Sequence, residues 1–485
     1  METLQELRTN SGIAATVAGT VLAGESPEAF DHYMRKVAGV TRDEVNGALA
    51  EMLDPDRFCL ACQLPEAPAA KSAAVLEQTA SAPVRLASGA VWMPNRELPL
   101  ADLTILLPGG DLFTDPAQSG VNALAAELLT SGSGRWTEAR IAEKLDALGA
   151  DLSVGAAWNS FYLRLTAPRA KWRNVIGLLT EILPAPDFAG PIFERERRAM
   201  LAEFAAKMQR PEFAANAALR EMLFTRHPYA NNTRLAQTLP RLTADAVREF
   251  YRDLWRRDRV VFAFGGDLGE ADAEEACRRL RAAFDWQDGE LAEPPFPKFP
   301  RRADARRIEL EREQQVVALG MPAPDCLDER DYPAFQVLHD SLNGITGRLY
   351  KVIREKHALA YSTGMGLRSG FRPGAAVFHA SASPETGDRV EALLRKVIGD
   401  LAAKGLTEAE FREARDNGVF AVERILAQPE ECLFESALSV FYRREADDLR
   451  RTMARMKALT RRDVNAVLKR RLSDAVLQTV RAGKF

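Results

Sequence analysis

The sequence predicts an α+β protein built from two related domains, each an antiparallel sheet covered by helices, preceded by the tail of a third. Three observations favour this fold class. A short pattern occurs three times at separations of about two hundred residues, two linker-like stretches divide the chain, and strands precede helices in both later units. The length of 485 residues agrees, because it exceeds what one ordinary hydrophobic core supports.

The repeated pattern is a threonine followed by apolar residues at helical spacing and then by an apolar, strand-like run. The threonine is in each copy a candidate helix N-cap, since its hydroxyl can accept a hydrogen bond from a free amide of the first turn. One such helix means little, but three with matching offsets predict a repeated domain whose first copy keeps only its tail. The helices follow Thr41, Thr243 and Thr460, and the strands begin near Phe58, Val260 and Leu477.

Linker composition sets the predicted boundaries. An Ala-, Pro-, Ser- and Glu-rich stretch at 67–81 reads as a linker, and a proline-dense stretch at 291–300 cannot continue a helix or a central strand. The chain is therefore divided into the tail of a preceding domain at 1–66, a complete domain at 82–290 and a second at 301–485. The truncated first copy suggests a split gene, a processing product or a fragment.

Each complete domain begins with strands. In the first, we expect a hairpin at 84–92, strands at 103–107 and within the alternating run 152–165, and helices at 121–130, 138–148 and 171–223. In the second, we expect a strand ending near Gly320, helices at 329–342 and 347–356, strands between 359 and 382, and then long helices. One of these opens with a capping box, Thr407 to Glu410.

Composition and charge exclude several functions. With 65 basic and 68 acidic residues and no basic stretch interleaved with aromatics, nucleic acid is not expected as a partner. Five cysteines do not suggest a disulfide framework, and Cys59 and Cys62 are interpreted as strand residues. The stretch 13–23 lacks the basic flank of a signal peptide, and no segment is long and apolar enough to span a membrane. A cytoplasmic location is expected, or a periplasmic one if a partner carries the signal.

One segment carries a specific resemblance. Residues 343–362 read NGITGRLYKVIREKHALAYS, a glycine-bearing loop that leads into a helix, with an arginine seven residues before a tyrosine. This segment closely resembles a motif of the M16 (pitrilysin/insulinase) peptidase family. The stretch FTRHPY at 224–229 is similar to the family's Phe-x-x-His-Pro-Tyr stretch. The resemblance extends over about residues 82–485 and implies two domains of the LuxS/MPP-like type.

The same resemblance implies a zinc site that this sequence has lost. Active members place His-x-x-Glu-His on a helix, where two imidazoles and a later glutamate hold zinc and the first glutamate is the general base. Counting back from Gly132, the histidine positions fall on Ala123 and Glu127, and the base position on Ala126. Glu203 stands where the third ligand would be, so no metal or other cofactor is expected in this chain. The histidines show no ligand spacing and are interpreted as surface or core residues: His32, His227, His339, His357 and His379.

The resemblance also implies half of an active site, formed by Arg354 and Tyr361. In the family this pair comes from the zinc-free half and reaches the peptide bound at the zinc of the other half. A guanidinium and a phenol can donate hydrogen bonds to substrate carbonyls and to the developing oxyanion. The competing interpretation is a helix-end arginine in a surface salt bridge and a half-buried strand tyrosine.

Two functional hypotheses follow. In the first, the chain is the zinc-free half of an M16 metallopeptidase, inactive alone, which binds peptide or unfolded polypeptide and supplies Arg354 and Tyr361 to a zinc-bearing partner in a heterodimer. In the second, it is a non-catalytic structural or peptide-binding subunit of a larger complex. A standalone hydrolase of other chemistry finds no support, because the sequence has no nucleophile elbow and no phosphate loop.

Overall fold

The computed structural model describes residues 39–52, 81–188, 190–288 and 291–485, together with residues 18 and 22. The chain forms two compact units, residues 1–70 and residues 71–485. In the first unit the described element is helix α1, Arg42–Met52. Several predictions lie outside the described residues, namely the strand from Phe58, the cysteines Cys59 and Cys62, His32, and most of the stretches 13–23 and 67–81.

A six-stranded sheet opens the second unit. Its strands are β1 Val84–Arg85, β2 Val91–Pro94, β3 Leu100–Leu107, β6 Asp151–Ala156, β7 Phe161–Pro168 and β8 Val261–Gly266, while β4 Gly132–Ser133 and β5 Trp136–Thr137 form a separate ribbon. The order is β1-β2-β8-β3-β7-β6. Strand β3 is buried along nearly its whole length, which explains its run of apolar residues.

Helices cover this sheet and enclose the first core. They are α2 Val121–Leu128, α3 Glu138–Leu148, α4 Trp172–Ile182, α5 Pro191–Met208, α6 Pro211–Leu223, α7 Leu235–Thr238, α8 Ala244–Leu254 and α9 Glu270–Ala283. Large side chains that are almost wholly buried, among them Trp172, Phe188 and Phe264, fill the space between helices and sheet. The strand and helix positions predicted for this half are confirmed to within a few residues.

The second half repeats the plan with a five-stranded sheet. Its strands are β9 Ala305–Glu309, β10 Gln315–Ala323, β11 Thr363–Arg368, β12 Gly374–Ala382 and β13 Gln478–Gly483, in the order β11-β12-β10-β13-β9. Its helices are α10 Asp331–Leu342, α11 Gly387–Lys404, α12 Glu408–Leu426, α13 Pro429–Phe441, α14 Asp448–Ala458 and α15 Arg461–Leu472. The predicted capping box is present at the start of α12, where the Thr407 and Glu410 side chains bind each other's amides.

The repeated threonines cap their helices as predicted. The hydroxyl oxygens of Thr41, Thr243 and Thr460 accept hydrogen bonds from the amides three residues further on, at 3.3, 3.2 and 3.3 Å. Helices α8 and α15 then lead into β8 and β13. For the copies at Thr243 and Thr460, the local signal in the sequence therefore marks equivalent places in the fold.

Each sheet is covered on its other face by a helix from the other half. Helix α13 packs on the first sheet, where Cys432, Leu433 and Ala437 meet Met93 and Ala263. Helix α6 packs on the second sheet, and its alanine-rich face meets β10 and β13. Because each half donates a helix to the other, residues 82–290 and 301–485 share their packing.

Two glycines on the sheets leave room for the leucines of these exchanged helices. A Cβ atom at Gly265 on β8 would lie 2.9 Å from a methyl of Leu433, and one at Gly320 on β10 would lie 3.1 Å from methyls of Leu219 and Leu223. Both distances are shorter than ordinary packing allows. The absence of a side chain at each position therefore lets a leucine from the opposite half approach the strand backbone.

The α+β fold class is confirmed, with one difference from the prediction. The sheets are not wholly antiparallel, since β2 runs parallel to β8 and β9 runs parallel to β13. The last strand of each half, β8 or β13, pairs antiparallel with β3 or β10 on one side. On its other side it pairs parallel with β2 or β9. Among the described residues, no helix is long and apolar enough to cross a membrane.

Candidate functional site

The backbone that carries Arg354 is a π-helix, not the α-helix that the sequence predicts at 347–356. The π-helical residues are Tyr350–Glu355, and the Lys356 amide donates to the Lys351 carbonyl five residues earlier, at 3.0 Å. The turn ends at Ala358, which has a φ of 52°. Such wide turns are rare and recur at functional sites, as does left-handed backbone at a residue other than glycine. The wide turn aims the Arg354 side chain at the start of the next strand.

The guanidinium of Arg354 lies between two tyrosine rings. Its central carbon is 5.1 Å from the ring centre of Tyr350 and 5.2 Å from that of Tyr361. Its Nη1 donates to the main-chain carbonyl of Tyr361 at 3.0 Å. No carboxylate pairs with Arg354 in the part of the chain that the structure describes. The side chain is exposed, so its remaining N–H groups face solvent.

Tyr361 presents its phenol to solvent. The residue is 75% exposed and lies two residues before β11. The alternative drawn from the sequence, a salt-bridged surface arginine and a half-buried strand tyrosine, describes neither residue. Both side chains are held together and both keep free hydrogen-bond donors, which is the chemistry needed to bind a carbonyl or an oxyanion from outside.

The glycine-bearing loop before the π-helix is fastened to β11 by Asn343. Its Nδ2 donates to the carbonyls of His339 at 2.9 Å and Met365 at 2.8 Å, and its Oδ1 accepts from the Met365 amide at 2.9 Å. Gly347 and Gly364 lie so close to Asn343 that a Cβ at either position would overlap it. The Asn343 carboxamide therefore hydrogen-bonds to β11 as the main chain of a neighbouring strand would, and it fixes the loop against the start of β11.

A half-buried ion pair anchors the other end of the loop. The Arg348 guanidinium donates to both carboxylate oxygens of Glu410 at the start of α12, at 2.7 and 2.5 Å. Burial acts against ionisation of Glu410, but the hydrogen bonds from Arg348 and Thr407 outweigh it and lower the pKa of Glu410 to about 2. The segment that carries Arg354 is therefore held at both ends by polar contacts.

The degenerate zinc positions do not fit a metal. On α2, Ala123 and Ala126 present only methyl groups, and Glu127 is exposed. Glu203 on α5 is 62% exposed in its side chain and is paired with Lys207 at 2.6 Å. Zinc needs several converging nitrogen, sulfur or oxygen ligands, which these residues do not offer. No step of any reaction is assigned to a metal on this chain.

The neighbouring buried carboxylate on that side is already paired. Asp111 accepts a hydrogen bond from Asn122 at 3.1 Å and lies 3.4 Å from Arg220, which also donates to the Tyr229 carbonyl. Burial raises the pKa of Asp111 and lowers the pKa of Arg220 to about 10. The charges hold α2, α6 and the chain around Tyr229 together rather than forming a ligand set.

Nor do the described histidines gather into a metal site. No group of three or more His, Cys, Asp or Glu side chains in the described ranges could hold a metal ion. His227 caps the turn at Pro228–Thr233 by accepting a hydrogen bond from the Tyr229 amide. His339 lies 2.8 Å from Asp340, His357 3.5 Å from Arg389, and His379 is half-buried on β12.

Sequence reasoning missed two members of this site. Tyr350, one ring of the pair around Arg354, precedes it by four residues, the spacing at which helical side chains meet. Asn343, the loop anchor, stands directly before Gly344, as a residue that ends a helix often does. Spacing could have identified Tyr350, whereas the contact of Asn343 with Met365 depends on the folded sheet.

Comparisons with known proteins agree with this fold. A family model described as the peptidase M16 inactive domain matches residues 241–417. The non-peptidase homolog YmxG of Helicobacter pylori is 24% identical over 330 residues, which cover 67% of this chain and 75% of that protein. An uncharacterized zinc protease of Streptomyces coelicolor is 29% identical over 326 residues, which cover 62% of this chain and 66% of that protein.

Solved structures match most of the chain. The crystal structure of a peptidase M16 inactive domain from Pseudomonas fluorescens has a TM-score of 0.76 and 25% identity, covering 84% of this chain and 98% of that chain. A protease from Helicobacter pylori has the same TM-score of 0.76 at 14% identity, a likeness of fold alone. The fold of most of the chain is therefore that of M16 peptidase inactive domains, and residues 241–417 match the family model of that domain.

Proposed function

We propose that this chain is the zinc-free half of an M16 metallopeptidase and completes the active site of a zinc-bearing partner through Arg354 and Tyr361. The observation that carries the proposal is that both side chains of this pair are held in place and keep hydrogen-bond donors that are unpaired in the described part of the chain. Arg354 is stacked between two tyrosines without a carboxylate partner in the described residues, and Tyr361 is 75% exposed. Two ordered, outward-facing donors support a role with a ligand more than a role in stability.

The partner would supply zinc, the general base and the attacking water. This chain would contribute donors: the Arg354 N–H groups and the Tyr361 O–H would bind the carbonyl of the scissile or an adjacent peptide bond. These bonds would strengthen as negative charge develops on the oxygen, because the donors are already in place and need no rearrangement. The peptide would lie along an edge strand, and β11, which begins two residues after Tyr361, is one such edge.

The alternative function is a non-catalytic structural or peptide-binding subunit of a larger complex. The Helicobacter pylori relative is named a non-peptidase homolog, which agrees with either role, since the chain is expected to be inactive alone. The cytoplasm is the expected compartment, with the periplasm as the alternative if the chain is exported with its partner.

The test is reconstitution with a chain that carries His-x-x-Glu-His. We expect the mixture to cleave a quenched fluorescent peptide and each chain alone to be inactive. Arg354→Ala and Tyr361→Phe should each lower kcat by about 10²- to 10³-fold, the usual effect of losing one oxyanion donor, without changing complex formation by size-exclusion chromatography. Lys351→Ala, an exposed change on the same π-helix, is the matched control and should retain full activity.

Two outcomes separate the hypotheses. If both variants assemble and cleave at the wild-type rate, the assignment of the pair is wrong. If an active complex never forms with any zinc-bearing partner but a larger complex requires this chain, the structural alternative is supported.

A further inference from the structure

A second concave site lies away from the residues assigned above. A cavity of about 380 Å³ is formed by the β1–β2 hairpin, the residues before β8, helix α9 and the end of α13. Five arginines and one carboxylate line it: Arg85, Arg257, Arg259, Arg281 and Arg443, with Asp258. This is a strong local concentration of positive charge in a chain whose formal net charge is -3.

Two of the guanidiniums converge on one oxygen atom. Arg259 and Arg443 each donate from Nη2 to the same carboxylate oxygen of Glu293, at 2.8 and 2.9 Å. The Arg259 side chain is only 9% exposed, and its Nε is buried without a hydrogen-bond partner in the described structure, although Asp258 lies 3.3 Å away. Arg443, two residues after the end of α13, has left-handed backbone with a φ of 61°, an uncommon conformation for arginine. The site is therefore built to bring guanidiniums together around an anion.

The other three arginines lack carboxylate partners among the described residues. Arg85 and Arg257 are exposed at the rim. Arg281 stacks on Phe262 at 5.2 Å and Trp286 at 5.7 Å, and its Nε points to the sulfur of Cys277. Like charges repel, so three unpaired guanidiniums on one cavity are stabilised by an added anion.

We propose that this cavity binds an oligophosphate, either inorganic or carried by a nucleotide. The planar guanidinium matches the spacing of phosphate oxygens and binds two at once, and several arginines around one cavity favour a ligand with several charges. The cavity volume falls within the range of about 300–1,000 Å³ that small-molecule sites occupy. The Ser88 hydroxyl at the rim adds a further donor. The proposal stands whether or not Arg354 and Tyr361 act in peptide cleavage.

The experiment is titration of the full-length chain with tripolyphosphate and with ATP by isothermal calorimetry at low ionic strength. Arg85→Gln and Arg257→Gln each remove an exposed charge that makes no ion pair in the described structure, so the fold should be retained. We expect each substitution to weaken binding about 10- to 100-fold, the effect of losing one charge-assisted contact. Arg462→Gln, an equal charge change on the exposed face of α15, should leave affinity within about twofold.

The two titrations distinguish an inorganic oligophosphate from a nucleotide as the ligand. Equal affinity for tripolyphosphate and ATP identifies the phosphate chain alone as the ligand, and tighter binding of ATP adds a contact to the base or ribose. An absence of binding by both compounds at millimolar concentration overturns the proposal. So does binding that the Arg85 and Arg257 variants leave unchanged, or an acidic peptide that binds as tightly as either phosphate compound.

Discussion

The packing of Leu433 against Gly265 gives a direct test of how the two halves hold together. Leu433 on α13 is 1% exposed and packs on the first sheet with Met93 and Ala263. A Cβ at Gly265 would lie 2.9 Å from a Leu433 methyl. Removing the leucine and adding a methyl to the glycine therefore act on the same small volume, so the two substitutions should not be independent.

The magnitudes follow from this geometry. Leu433→Ala leaves a cavity between the halves and should lower the free energy of unfolding by about 2–5 kcal/mol. Gly265→Ala should cost roughly 0–2.5 kcal/mol, since overpacking of about 1–3 kcal/mol exceeds the gain of about 0.5–1 kcal/mol from a less flexible unfolded chain. In the Leu433→Ala background that overpacking is absent, and Gly265→Ala should become stabilising by about 0.5–1 kcal/mol. The expected coupling is therefore about 1–3 kcal/mol in favour of the double variant.

Urea-induced unfolding, followed by circular dichroism on the wild type, both single variants and the double variant, measures this coupling. Gly399→Ala is the matched control, because a Cβ at that position on α11 would have no atom within 4 Å apart from its chain neighbours and its own helix backbone. Its effect should add to that of Leu433→Ala within about 0.5 kcal/mol. If Gly265→Ala is equally additive, helix α13 does not seat on Gly265 and the account of the exchanged helices is wrong.

Two further predictions concern polar contacts. Tyr229→Phe should lower the free energy of unfolding by about 1–3 kcal/mol, because the buried hydroxyl donates to Asn159 at 2.7 Å and accepts from the Arg372 amide at 3.1 Å. Urea unfolding checks it, and a loss below about 0.3 kcal/mol would contradict a structural role for this bridge. Burial acts against ionisation of Glu410, but Arg348 lowers its pKa from 4.5 to about 2. The charged carboxylate therefore stabilises the fold fully at pH values above the pKa of the unfolded chain, and this stabilisation is lost as pH falls toward the folded-state pKa. Glu410→Gln should therefore lower Tm at pH 7 and flatten the fall in Tm between about pH 5 and pH 2, and parallel profiles would refute the ion pair.

The parts of the fold that depend on local chemistry could be predicted from the sequence. Threonine caps such as Thr243 and the capping box of Thr407 and Glu410 involve neighbours in the chain, so the pattern reports them directly. The exchange of α6 and α13 could not be predicted. An amphipathic pattern shows that a helix buries one face, but it does not say which sheet receives that face. The parallel pairs were missed for the same reason, since strand order depends on contacts between distant segments.

The candidate site, too, could be predicted from the sequence only in part. Arg354 and Tyr361 lie seven residues apart within one motif, and the sequence could name both. Its helical pattern could not reveal the π-turn, because one extra residue per turn is invisible to a periodicity of 3.6. The arginine cavity was also missed, because residues as far apart as Arg85 and Arg443 meet only after folding.

Arg354 differs from Arg348 and Arg220 in having no carboxylate partner in the described structure, and this difference supports a functional role for Arg354. Arg348, six residues earlier, is half-buried and paired with Glu410, and Arg220 is paired with the buried Asp111. Such pairs hold elements together, and removing one partner would leave a buried charge. Arg354 has no such partner in the described structure, yet a π-turn and a left-handed residue at Ala358, conformations that cost free energy, fix its position. A strained backbone that orders an exposed guanidinium beside an exposed phenol is poorly explained by stability, and it supports the proposed role of the pair as hydrogen-bond donors to a ligand.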